Sequence, residues 1–123
     1  MFGQVGIGST LSPQLSPQAL SVAGSTHIAV GRFHAGAITS TGLYTWGANS
    51  SGQIGDGTAV NSVSPKAIPL PNNAMPTAIS LSLANSCALT SSGQIYCWGD
   101  NTYGQLGNGT TNASSTPVAV VWP

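Results

Sequence analysis

The sequence predicts an all-β fold assembled from repeated antiparallel sheets, and three internal regularities carry that prediction. The string Gly-Gln-x-Gly-x-Gly-Ser/Thr occurs at 3–9 (GQVGIGS), 52–58 (GQIGDGT) and 104–110 (GQLGNGT). Each copy is followed by a polar stretch and a proline, at Pro17, Pro65 and Pro117. The pairs Trp46-Gly47 and Trp98-Gly99 precede the second and third copies by the same interval. The copies start about fifty residues apart, and a period of that size marks a repeat architecture.

Registering the chain on this string gives residues 1–20 as the C-terminal part of an incomplete repeat, then full repeats at 21–72 and 73–123. In the last repeat, residues 77–83 (TAISLSL) alternate small and apolar side chains, the period of a strand. Two β-prone runs, 87–90 and 94–98, flank Ser91-Ser92-Gly93, which reads as a hairpin with a glycine bulge. The motif glycines Gly52, Gly55, Gly104 and Gly107 supply tight turns, where positive φ costs no Cβ clash. A last strand at 117–121 would begin on Pro117, where no ladder donor is lost. The middle repeat follows the same plan, with strands at 26–30, 35–39, 43–46 and 65–70 around the turn Ser40-Thr41-Gly42. Four short antiparallel strands per repeat, punctuated by Trp-Gly and glycine-rich turns, are blades of a β-propeller. The expected architecture is an incomplete propeller, a partial blade plus two antiparallel four-stranded blades.

The repeat also resembles a known family. The pattern runs Gly31-x-x-His34, then Ala37-Ile38-Thr39, Gly42 and Tyr44-x-Trp46-Gly47-x-Asn49, ending with Gly52-Gln53-x-Gly55-x-Gly57-Thr58 and Pro65. It resembles the regulator of chromosome condensation repeat. The last repeat matches through Ala88-Leu89-Thr90, Gly93, Tyr96, Trp98, Gly99, Asn101, Gly104, Gln105, Gly107, Gly109, Thr110 and Pro117. It departs where Gly-x-x-His becomes Ser82-Leu83-Ala84-Asn85. The resemblance implies a seven-bladed propeller, one repeat per blade-equivalent. Residues Met1 and Phe2 fall in mid-repeat, so the expectation is a fragment of a longer repeat protein. Further repeats of the same chain, or self-association, would be needed to close the ring.

Composition narrows the function. Arg32, Lys66, Asp56 and Asp100 are the only charged side chains, 3% of residues against roughly 25% in an average domain. The 41% of hydrophobic residues nevertheless argues for a packed core. With two cations and zero net charge, the chain lacks the Lys/Arg contacts that phosphate backbones require, so no nucleic-acid partner is expected. No apolar run approaches the length of a membrane span.

Among chemistry-bearing residues, Cys87 and Cys97 give the most specific signal. Counting outward from Thr90 opposite Gln94 sets Cys87 opposite Cys97, in a non-hydrogen-bonded pair with Cα atoms about 4.5 Å apart. A cross-strand disulfide fits, two buried thiols are the second reading, and zinc lacks further ligands at suitable spacing. A disulfide would point to an oxidising compartment, extracellular or cell surface. Asp56 and Asp100 read as turn residues, and His34 as scaffold within Gly-x-x-His. Trp46 and Trp98 read as rings packed between blades over a small residue. No catalytic, metal or cofactor residues are assigned, and no enzyme activity is expected.

The functional expectation is a non-catalytic interaction scaffold binding another protein, with Asn49, Asn101, Tyr103 and the Asn72-Asn73 loop as candidate contacts. By family analogy alone, the alternative is a guanine-nucleotide exchange factor-like regulator of a small GTPase.

Overall fold

The computed structural model describes residues 2–10, 15–16 and 18–122. Pro17, the proline of the incomplete repeat, lies outside them. Among the described residues, eight strands form two separate four-stranded antiparallel meanders. The first contains β1 (Ser25–Val30), β2 (His34–Thr39), β3 (Gly42–Gly47) and β4 (Ser62–Ile68) in that order. The second contains β5 (Pro76–Leu81), β6 (Asn85–Thr90), β7 (Ile95–Gly99) and β8 (Ser114–Ala119). Each is one propeller blade, and the described residues before Ser25 add loop rather than strand.

The two hairpin turns differ for a countable reason. In the second blade, Gly93 at φ 83 donates its N–H to the Thr90 carbonyl, and Thr90 donates to Gln94. This is the expected glycine-bulge loop, and it sets Cys87 opposite Cys97. In the first blade Thr39 pairs with Gly42, leaving only Ser40 and Thr41 in the turn. The missing residue therefore shortens the turn, and Gly42 belongs to the strand.

The outer strands correct a second expectation. β4 and β8 each begin three residues before their proline, so Pro65 and Pro117 lie inside the strands rather than at their starts. Both fall where the ladder slips, between Thr45 and Gly47 in one blade and between Cys97 and Gly99 in the other. An edge strand with a bulge asks no hydrogen bond of that residue, so the proline costs nothing there.

The main core lies between the blades. Ile38, Leu43, Ile54, Ile68 and Leu70 of the first blade meet Ala88, Tyr96 and Trp98 of the second, with Ile79 against them. Strand β2 is buried along its whole length: β5 lies against one face, and Trp46, Leu20 and Val22 pack with its own Ala35 and Ala37 on the other. Its small residues let the sheets approach: a Cβ on Gly36 would lie 2.7 Å from Ile79 Cδ1. The connection between blades turns at Pro71–Asn73, where Asn72 and Asn73 hold φ of 59° and 52°. Asparagine tolerates this left-handed region better than most side chains.

Cys87 and Cys97 form a disulfide across β6 and β7, with Cα atoms 4.1 Å apart. Of the readings the sequence left open, the cross-strand bond is the one the structure contains.

Candidate functional site

The glycine-rich strings do more than turn back on their own blades: the first two also reach across to the next sheet. In the second string the Gln53 carbonyl accepts the Trp98 indole N–H at 2.9 Å and the Ser86 hydroxyl at 2.7 Å. Gly55 lies beneath the indole, where a Cβ would stand 2.6 Å from Trp98 Nε1. Gly52 rests on the backbone of Ser115, and Gly57 donates to the Ser115 carbonyl at 2.9 Å. The first string repeats this set on the first blade. The Gln4 carbonyl accepts the Trp46 indole N–H at 2.8 Å, Gly6 lies under that ring, and Gly8 donates to Val63 at 2.8 Å. The string is thus a clasp between neighbouring repeats. The third copy meets only its own repeat: the nearest atom to a Cβ on Gly104 is Thr110 O, 4.0 Å away, and the Gly107 carbonyl accepts from Val121 N–H at 2.9 Å.

Gly47 and Gly99 stand where β3 and β7 meet the previous loop. Each holds a positive φ, and a Cβ would press on the Phe33 or Ala84 carbonyl. The motif glutamines shape their own turns, since Gln53 Oε1 accepts from Ser51 N–H and Gln105 Oε1 from Tyr103 N–H.

Asn49 and Asn101 are not partner contacts; both are 0% exposed. Asn49 Oδ1 accepts from Ile54 N–H at 2.9 Å, and its Nδ2 donates to the Thr58 and Val60 carbonyls at 3.0 Å each. Asn101 does the same for Leu106 N–H and the carbonyls of Thr110 and Asn112. A buried amide that satisfies one backbone donor and two acceptors fixes the whole loop. The signal for this was in the sequence: the asparagine recurs at the same place in both repeats, while its Ser and Thr neighbours vary.

Tyr103 remains as a surface candidate. It is 90% exposed, on a loop braced by Gln105 Nε2 to Asp100 Oδ2 at 3.0 Å and Thr102 Oγ1 to Asp100 Oδ1 at 2.7 Å. Asp100 N–H also bonds Ala84 O at 2.9 Å, which ties this loop to the 82–84 turn carrying exposed Leu83. The Asn72-Asn73 loop lies at the opposite end of the sheets, beside a groove of about 440 Å³ lined by Thr41, Tyr44, Leu70 and Met75. The sequence candidates therefore do not share one face.

The titratable groups are committed to structure. Partial burial raises the Asp56 carboxyl, but hydrogen bonds from Lys66 and Thr58 outweigh it and hold the pKa at about 2. Hydrogen bonds from Thr102 lower Asp100. Arg32 lies 5.0 Å over the Phe33 ring. Among the described residues no group of three or more His, Cys, Asp or Glu is placed to hold a metal ion, and no helix is long and apolar enough to cross a membrane.

His34 is 1% exposed and joins the blades. Ser86 gives its proton to the Gln53 carbonyl, so His34 Nε2–H donates to Ser86 Oγ at 3.0 Å. Nδ1 is buried without a hydrogen-bond partner. Gly31 makes the space, because a Cβ there would lie 2.7 Å from His34 Cε1 and 2.3 Å from Ser82 O. Burial pulls the imidazole pKa from 6.5 down to about 4, against an opposing pull from the Asn85 backbone. The unfolded chain takes up this proton first, so stability is full above pH 6.5 and falls as the pH drops towards 4. The expected loss across that window is roughly 3 kcal/mol, a steady slope for one proton. Urea midpoints from pH 7 to 4 check it; His34→Asn should flatten the slope, and an equal slope in that variant would remove His34 as its source.

Two models of the regulator of chromosome condensation (RCC1) repeat match, one at residues 42–89 and 92–123, the other at 26–53 and 77–105. The E3 ubiquitin-protein ligase HERC2 of Homo sapiens is 34% identical over 128 residues, spanning 96% of this chain and 3% of the ligase. The ultraviolet-B receptor UVR8 of Arabidopsis thaliana is 36% identical over 112 residues, spanning 88% of this chain and 25% of the receptor. The chain thus corresponds to a small part of these relatives. The crystal structure of human WBSCR16 superposes with a TM-score of 0.84 at 21% identity, covering 98% of this chain and 33% of that one. Prp20p of Saccharomyces cerevisiae gives 0.76 at 24% identity, covering 95% and 32%. Both share the blade fold.

Proposed function

Because the chain belongs to the RCC1 repeat family, we propose that it acts as a non-catalytic interaction scaffold, its blades holding one rigid loop end against another protein. The observation that carries this reading is Tyr103, a large aromatic side chain 90% exposed on a braced loop. An aromatic anchor already held in place loses little conformational freedom on binding, which is the physics of an interface hot spot. Leu83, 57% exposed on the adjoining turn, supplies apolar area beside it. Solved relatives are consistent in kind: yeast RCC1 (Prp20) is described bound to Kap60, and Prp20p by its binding to Gsp1p and histones.

Chemistry weighs against other uses of the same end. Both carboxylates are engaged, Asp56 by Lys66 of β4 and Asp100 by Thr102 and Gln105 of its own loop, which leaves little acidic surface for nucleotide exchange on a small GTPase. Lys66 is paired with Asp56, so phosphate backbones find few cations here. We propose a cell-surface or extracellular location as well, a reading supported by the Cys87–Cys97 bond, since disulfides persist in oxidising compartments.

The test is affinity capture from the source cells with the native chain and Tyr103→Ala. A genuine partner should lose about 30-fold or more in affinity, the scale of a hot-spot aromatic, while the melting temperature stays unchanged. Captured proteins that bind both forms equally would count against this face.

A further inference from the structure

The outward face of the second blade matches, in ladder register, the surface on which the second blade itself sits, and differs from it most at one place. In the first blade, Ile38 and Leu70 are 3% and 6% exposed because the next blade covers them. Their counterparts Leu89 and Trp122 are 39% and 66% exposed. The string at 104–110 offers the Gln105 carbonyl where Gln53 receives Trp98 and Ser86. This is an unfilled clasp, with an apolar floor beside it.

The difference lies at the disulfide. Ladder register sets Cys87 and Cys97 where the first blade has Gly36 and Thr45. Gly36 is the notch that admits Ile79 of the next blade, with only 2.7 Å between its would-be Cβ and Ile79 Cδ1. On the second blade a Cβ and two bonded sulfurs fill that notch. We propose that this face docks one further propeller blade of a restricted kind: Trp and Ser at the places of Trp98 and Ser86, and a side chain shorter than isoleucine at the place of Ile79. The disulfide acts as the selector, because overpacking a fitted interface is penalised as surely as leaving a void.

The occupant is not a second copy of this chain. Its first blade presents Ile28 where the second presents Ile79, both opposite the matching alanine of the next strand. That side chain would strike the disulfide. Its Trp46 indole, moreover, already donates to the Gln4 carbonyl of its own chain. The face thus turns away identical copies, which head to tail would otherwise grow into open fibres. This inference is independent of what Tyr103 contacts.

The experiment appends a copy of residues 72–123 after Pro123 of the whole chain, either unchanged or with Ile→Ala at the appended copy of Ile79. The readout is hydrogen exchange at the indole N–H of the appended copy of Trp98. With the disulfide intact, the alanine form should exchange about 10-fold or more slowly than the isoleucine form. In Cys87→Gly/Cys97→Thr, which restores the arrangement of Gly36 and Thr45, the isoleucine form should become the protected one. Equal protection of both forms with the disulfide present would overturn the proposal, as would no protection of either.

Discussion

Gly55→Ala is expected to destabilise the chain by about 2–5 kcal/mol, from left-handed strain and overpacking together. Gly55 holds φ 89°, a conformation an alanine enters only with strain. The added methyl would also stand 2.6 Å from Trp98 Nε1 and 2.9 Å from Cδ1, inside contact distance of a ring with no room to retreat. Trp98 is 0% exposed and sits in the core shared by both blades, so a shift there separates the sheets. Gly107→Ala is the control. It occupies the same place in the third string, at φ 62°, with Val120 Cγ1 at 3.2 Å and no indole above it. Urea unfolding of both variants should show a larger loss for Gly55, and the difference measures the clasp. Equal losses would mean that only backbone strain is at work.

Asn49→Ala is expected to cost about 3 kcal/mol or more, the sum of several buried backbone groups left without partners. The variant strands Ile54 N–H inside the core and frees the Thr58 and Val60 carbonyls. Asn49→Asp separates the two halves of this role. It keeps the acceptor for Ile54 but sets a carboxylate against two carbonyls and Asp56, whose Oδ1 lies 3.2 Å from Nδ2. Both variants should lose stability, and hydrogen exchange should open first across residues 49–61. A variant as stable as the native chain would restore Asn49 as a surface residue.

These two sites show what the sequence made legible. Local arithmetic succeeded where a single hairpin decides the outcome: the Ser91-Ser92-Gly93 loop set Cys87 opposite Cys97. It failed for Pro65 and Pro117, because a bulge on an edge strand is set by the partner strand. The glycine strings announced turns, since positive φ is a local property. Which blade they touch is not local. Gly55 and Trp98 are joined only after two sheets stack, and neither period nor propensity carries that information. Asn49 and Asn101 misled for a related reason: a polar side chain in a loop reads as surface until its backbone partners are counted. Tyr103 differs from them in being exposed, on a loop braced between Gln105 and Asp100.

The first two glycine-rich strings each fasten their own repeat to the next. The most direct measurement is hydrogen exchange at the three tryptophan indoles, in the native chain and in Gly55→Ala. Trp98, bonded to the Gln53 carbonyl and fully buried, should exchange most slowly, and Trp46, bonded to Gln4, should follow. Trp122, 66% exposed, should exchange freely. In Gly55→Ala the protection of Trp98 alone should collapse towards that of Trp122. If Trp98 exchanges as fast as Trp122 in the native chain, or keeps its protection in Gly55→Ala, the clasp does not hold the blades together.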